Sequence, residues 1–118
     1  MIVGVVLVAV VAIAVVLANR SKQKTEASGS EVVAKFKTEQ EAAIAAAKSA
    51  YAKAKAEGKD LESGPCLGQV LPNWVADIAH NPRQLVDNLK ENQCKDFIEG
   101  TVKHFVELDP QGKVIRAL

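Results

Sequence analysis

The chain has 118 residues, with fifteen basic and fourteen acidic side chains, a formal net charge of +1, and 48% hydrophobic but only 4% aromatic residues. That length holds one modest soluble domain. Residues 19–58 carry eight basic and five acidic side chains and residues 59–118 carry seven and nine, so neither half offers the concentrated cationic surface that binding to nucleic acid requires.

Residues 1–18, MIVGVVLVAVVAIAVVLA, contain eight valines and no charge or proline. As a helix they would rise about 27 Å, just short of the roughly 30 Å hydrocarbon core of a bilayer. A cleaved secretion signal should carry a basic stretch ahead of its apolar run. None stands before Ile2, so the run is expected to be kept, as a transmembrane helix or as the dry core of an assembly. Val5, Val8, Ala12 and Val15 step by three or four residues along one face and are candidate self-association positions. Arg20, Lys22 and Lys24 follow at once; a basic flank of this kind favours the cytoplasmic side.

Residues 19–30 read as a polar linker ending in Ser28-Gly29-Ser30. Ser28 and Glu31 have capping-box spacing, and residues 31–58 read as an alanine-rich amphipathic helix stopped by Gly58. Its larger apolar side chains are sparse. Phe36, Ile44 and Tyr51 fall on one face, with Gln40, Ala47 and Ala54 between and beyond them. So thin a stripe gains little from a globular core, and the reading is either self-association through close-packed alanines or a solvated spacer.

Residues 59–118 should form a small α+β domain. Trp74 and Ile78 are four apart and suit one helical face; Asn81 and Pro82 suit the N-cap and first turn of a second short helix with Leu85, Val86 and Leu89 inward. CKDFIEG at residues 94–100 suits a turn of helix ended by Gly100. The last stretch predicts a β-hairpin: Val102, His104, Val106 and Leu108 alternate, Asp-Pro-Gln-Gly at residues 109–112 suits a type I turn, and Val114 and Ile115 begin the return strand. The fold class is thus mainly α with a small α+β C-terminal domain.

About 59 residues make a marginal core without a staple. Both cysteines, Cys66 and Cys94, lie here, and a disulfide between them is expected, which favours an extracytoplasmic location. A metal site built from Cys66, Cys94, His80 and His104 is the weaker alternative, because no CxxC or HxxxH element is present. Asp77, three residues before His80, could orient its imidazole, with Arg83 close by. No serine stands in a glycine-flanked elbow, so Asp77 and Asn81 are read as bridging two helices and His80 as completing their junction. No catalytic residue, cofactor or metal is expected, and the chain is not expected to be an enzyme.

Two organisations remain. In one, the apolar run anchors the chain in a bilayer and the alanine-rich helix presents the disulfide-bonded domain outside the cytoplasm, to a protein partner that the sequence does not identify. In the other, identical subunits assemble through the N-terminal helix. Here the chain resembles type IV pilins, whose mature subunits begin with an apolar helix, continue into a longer amphipathic helix and end in a small β-containing head often closed by a disulfide. The resemblance implies a homo-oligomeric extracellular filament with residues 1–18 in its core. It lies in the order of segments; Met1 and Val5 differ from the phenylalanine and glutamate usual at the first and fifth positions of those proteins.

Overall fold

The computed structural model describes side chains for residues 29–118. Helix α1 (Ile2–Ala56) is followed by strands β1 (Cys66–Leu71) and β2 (Trp74–Ile78), the single-turn helix α2 (Lys95–Ile98), and strands β3 (His104–Leu108) and β4 (Val114–Ala117). Three short 3₁₀ turns lie at Leu61–Ser63, Leu85–Asn88 and Lys90–Asn92. The expected α plus β arrangement holds, with a four-stranded sheet where a single hairpin was expected. Val5, Val8, Ala12 and Val15, with the rest of the apolar run and most of residues 19–30, lie outside the described residues. Gly29 and Ser30 are helical, so no break occurs at that end of the expected linker.

Chain contacts divide the molecule into residues 1–37 and 38–118. In the second unit the strands line up in the order β1-β2-β3-β4, antiparallel at both edges and parallel between β2 and β3. A parallel pair needs a long return path, which residues 79–103 supply. Strand periodicity then sorts side chains onto two faces. Trp74, Ala76 and Ile78 of β2 join Val106 and Leu108 of β3 in a core with Ala43, Ala47 and Ala54 of α1. Val75 of β2 faces the other way, into a smaller cluster with Cys94, Val102, Phe97 and Phe105.

The alanines explain how a helix with so few large side chains covers a sheet. Ala43 and Ala47 are fully buried and Ala54 nearly so. Small side chains let the helix backbone approach closely, so burial comes from proximity and from the large residues on the sheet. This corrects the expectation that a thin stripe gains little by packing on a core. Ile44 and Tyr51 pack against the same cluster, and Gln40 Nε2 donates to Ala117 O at 2.7 Å. Gly58, at φ 74°, ends α1 as expected, with Lys59 N donating to Ala54 O and Gly58 N to Lys55 O, the paired bonds of a Schellman stop.

The C-terminal hairpin is as expected from His104 onward, whereas Val102 precedes β3 and packs in the smaller cluster instead of beside Val106 and Leu108. Gly112 N donates to Asp109 O, and Asp109 Oδ1 accepts from Gln111 N and Lys113 N. Tyr51 lies over this turn and its hydroxyl donates to Pro110 O at 2.9 Å. Gly112 has φ 87°, and a Cβ there would stand 2.6 Å from the Tyr51 ring, so both conformation and space demand glycine.

Two expected helices are corrected. Residues 74–78 form a strand: a spacing of four suits a strand face as well as a helical one, and Ala76 between Trp74 and Ile78 completes the strand's alternation. Residues 82–89 form no regular helix. Leu85 is 88% exposed and Leu89 46%, so they are not its inward face. The buried Asp87 carboxylate takes the backbone N–H groups of His80 and Gln84, a local alternative to helical bonding.

Candidate functional site: a carboxylate pair beside the disulfide

The sheet face turned away from α1 carries the polar chemistry. Cys66, opening β1, and Cys94, the residue before α2, form the expected disulfide, with 5.1 Å between their Cα atoms. The bond fastens the crossover segment to the sheet edge. Beside it, Asp77 of β2 is in register with Glu107 of β3. Parallel pairing therefore sets two carboxylates side by side on one face.

Their surroundings differ. Glu107 is 5% exposed; its Oε2 lies 3.5 Å from Arg83 Nη1 and 3.4 Å from Arg116 Nη2. Arg116 also lies over the Phe105 ring, 5.3 Å from its centroid, a cation–π distance. Asp77 Oδ1 is sealed from solvent and has no hydrogen-bond partner. Burial, aided by the negative charge of Glu107 and opposed by Arg83, pushes the Asp77 carboxyl up to about 7. A carboxyl so placed exchanges its proton near neutrality. A cavity of about 310 Å³ opens here, lined among others by Asp77, Cys94, Phe97, Phe105 and Glu107.

Arg83 connects this cluster to a second one. Its Nη2 donates to Asp87 O at 3.1 Å and to Asn88 Oδ1 at 3.2 Å. Asp87, 2% exposed, accepts at Oδ2 from His80 N and Gln84 N, and its Oδ1 lies 3.0 Å from His80 Nδ1. His80 Nε2 lies 3.2 Å from Glu62 Oε2. Gly64, at φ 69°, sits where a Cβ would stand 2.5 Å from Asp87 Oδ1, so the chain turns tightly over the buried acid.

The carboxylate that orients His80 is therefore Asp87, seven residues later, and the expected Asp77–His80 pairing is corrected. On a strand, Asp77 lies on the face that carries Glu107 and the disulfide, and it is the Asp87 carboxylate that reaches His80 Nδ1. His104 stacks on Trp74 with ring centroids 4.7 Å apart, on the face toward α1. Of the expected self-association residues, Ile44 and Tyr51 contact their own chain's sheet, while Phe36 is 40% exposed. Among the described residues, the one cluster of metal-ligating side chains is Cys66, Asp77 and Cys94, with both thiols consumed in the disulfide. The Asp77–Glu107 pair could not be read from sequence spacing, because thirty residues and a crossover separate the two; alternation within WVADI and HFVEL was the available signal.

The His80 clamp gives a pH-dependent stability. Burial disfavours the imidazolium, but the Asp87 and Glu62 carboxylates outweigh it and raise the His80 pKa. Burial likewise disfavours the Asp87 carboxylate, while bonds from Gln84 N, His80 N and the imidazole lower its pKa. A raised histidine contributes stability that is fully present below its unfolded pKa and is lost as pH rises through the folded one; the lowered acid contributes above its unfolded pKa and is lost in strong acid. Wild type should thus lose its advantage over His80→Asn as pH rises above the ordinary histidine value. Denaturant unfolding of both proteins across that range checks this, and Asp77's own titration cancels in the difference. A difference that grows with pH would contradict the clamp.

Comparison with known proteins finds no matching family model, no matching curated protein and no matching solved structure.

Proposed function

We propose that this chain is a non-enzymatic structural subunit of an extracellular, pilin-like helical filament, with residues 1–18 buried among identical subunits and the disulfide-bonded domain outside the cytoplasm. The observation that carries the reading is that α1 supplies one whole layer of the C-terminal domain: Ala43, Ala47 and Ala54 form part of the core beneath the sheet. Over residues 43–54 the helix is thus part of the domain's core and not a solvated spacer. Within residues 29–37, Val32 is 65% exposed, Val33 70% and Phe36 40%, apolar surface that neighbouring subunits would cover at roughly 25 cal/mol per Å². The valine-rich run adds far more of the same driving force, and the disulfide suits an oxidising location.

Residues 1–18 can be sheltered by lipid or by copies of themselves, and electron microscopy separates the two. Full-length protein, purified in mild detergent and then dialysed free of it, should form uniform fibres in negative stain. Val33→Lys combined with Phe36→Glu should shorten or abolish them while leaving the unfolding of the C-terminal domain, read by Trp74 fluorescence, unchanged. Monomers or small oligomers that persist only in detergent would sink the filament reading and favour a single-pass membrane anchor presenting the same domain. No helix among the described residues is long and apolar enough to cross a membrane, so either shelter concerns the N-terminal run.

A further inference from the structure

The Cys66–Cys94 bond is surrounded by hydrogen-bond acceptors that it cannot use while closed. A disulfide sulfur carries no proton, yet Ala76 O lies 3.4 Å from Cys94 Sγ and 3.7 Å from Cys66 Sγ. One Asp77 carboxylate oxygen and both sulfurs lie within 4.8 Å of one another, and Asp77 Oδ1 has no partner at all. A buried acceptor without a donor costs free energy. Opening the bond would create two S–H donors at this place. One further contact favours a sulfur anion: Gly68 N donates to Cys66 Sγ at 3.3 Å, a bond that strengthens when the sulfur is a thiolate. Cys94 also borders the cavity of about 310 Å³ on this face, room for a small thiol to approach.

From this arrangement we propose that Cys66, Cys94 and Asp77 form a thiol–disulfide exchange site for small dithiols, in which Asp77 carries the proton that the cysteine thiols gain and lose. The thiolate of an incoming dithiol attacks Cys94 Sγ from the cavity. A new S–S bond forms there, the Cys66–Cys94 bond breaks, and its electron pair leaves on Cys66 Sγ beside the Gly68 N–H. Asp77 gives its proton to that sulfur and becomes a carboxylate. The second thiol of the reductant then attacks its own sulfur in the mixed disulfide. It closes the reductant into a cyclic disulfide and releases Cys94, which takes up that thiol's proton. The proton lost when the first reductant thiol ionised balances the one that Asp77 gave up. Two electrons pass from reductant to protein.

The charged groups that face Asp77 are Glu107 from β3, Arg83 and Asp87 from the crossover and Arg116 from β4; the α2 and β1 walls contribute Phe97 and the two sulfurs. Glu107 is held by both arginines, which leaves Asp77 as the acid next to the bond. Its carboxyl sits at about 7 in the closed state. Once reduced, it accepts from a thiol, and a hydrogen bond to the charged form lowers that midpoint.

Two measurements test the site on the full chain in detergent, where filament formation is not required, so neither outcome depends on the assembly reading. The first is the rate of reduction by dithiothreitol, corrected to the thiolate present at each pH. Wild type should slow by roughly tenfold or more between about pH 6 and about pH 8.5, as the proton-bearing form of Asp77 is lost. Asp77→Asn, which cannot give up a proton, should show no such break. A wild-type profile as flat as that of Asp77→Asn would overturn the proposal. The second needs no variant: NMR titration of the Asp77 carboxyl carbon should give a lower midpoint in the reduced protein than in the oxidised one. Equal midpoints would overturn it too, whether or not Asp77→Asn folds.

Discussion

Replacing both Cys66 and Cys94 by alanine is expected to destabilise the C-terminal domain by about 3.5 kcal/mol, the loss of loop-closure constraint for a bond of sequence separation 28 in the chain-entropy model. The magnitude matters because so small a domain has little to spare. For a unit of this size each kcal/mol moves the melting temperature by roughly 4–8 °C, so a fall of roughly 14–28 °C should appear when melting is followed by the fluorescence of Trp74. Trp74 is the chain's one tryptophan, so the signal reports the core of the C-terminal domain. The structure also says where the damage falls. Cys94 precedes α2 and belongs to the second cluster with Val75 and Val102, so the crossover segment should loosen before the sheet. Faster hydrogen exchange in residues 85–102 than in β2 and β3 would show that order. A double variant that melts within a few degrees of wild type would mean that the crossover is held by its apolar contacts and by the Asp87 bonds alone.

The legible parts of this fold are those in which neighbours in sequence are neighbours in space. The β3–β4 hairpin announces itself through alternation and the Asp-Pro-Gln-Gly turn. The helix stop at Gly58 and the short α2 before Gly100 follow from backbone rules alone. The disulfide was legible from a size argument, since about 59 residues needed a staple and held two cysteines. Strand β1 was not legible: Gly68, at φ 92°, and two register shifts against β2 interrupt the alternation by which a strand is found. β2 was misread because residues four apart share a face in both helix and strand. The alanine face of α1 was misjudged because side-chain size measures what a residue brings to an interface and not how near its backbone can come.

The candidate site was the least legible feature, for a topological reason. Asp77 and Glu107 become neighbours only through a parallel pairing whose register is set across residues 79–103. Asp87 finds His80 only because that segment forgoes a helix. In both cases the sequence names the right residue types and leaves the partner open. Asp77 stood out as an acid near a histidine; the structure gives it a disulfide and a second carboxylate instead. That difference moves its chemistry from orienting an imidazole to handling a proton beside sulfur.

The other large effect is expected at Trp74. It is 1% exposed and lies in the core formed by α1, β2 and β3, stacked on His104, its register partner in β3. Trp74→Ala removes the largest fully buried side chain, where the loss of transfer free energy and the cavity left behind together cost about 3–5 kcal/mol. α1 cannot collapse into the gap, because it is pinned on either side: Gln40 bonds Ala117 O and Tyr51 bonds Pro110 O. Trp74→Phe keeps an aromatic face for His104 and most of the volume, and should cost clearly less. Urea unfolding followed by the fluorescence of Tyr51, the chain's one tyrosine, compares the two variants on the same probe. Tyr51 reports from α1 while the substitution lies in β2. A single shared transition, earlier in urea for alanine than for phenylalanine, would therefore show helix and sheet melting as one cooperative body. If Trp74→Ala unfolds at the same urea concentration as Trp74→Phe, the core between α1 and the sheet is not what holds the domain together, and the helix is then a passenger on a sheet stapled by its disulfide.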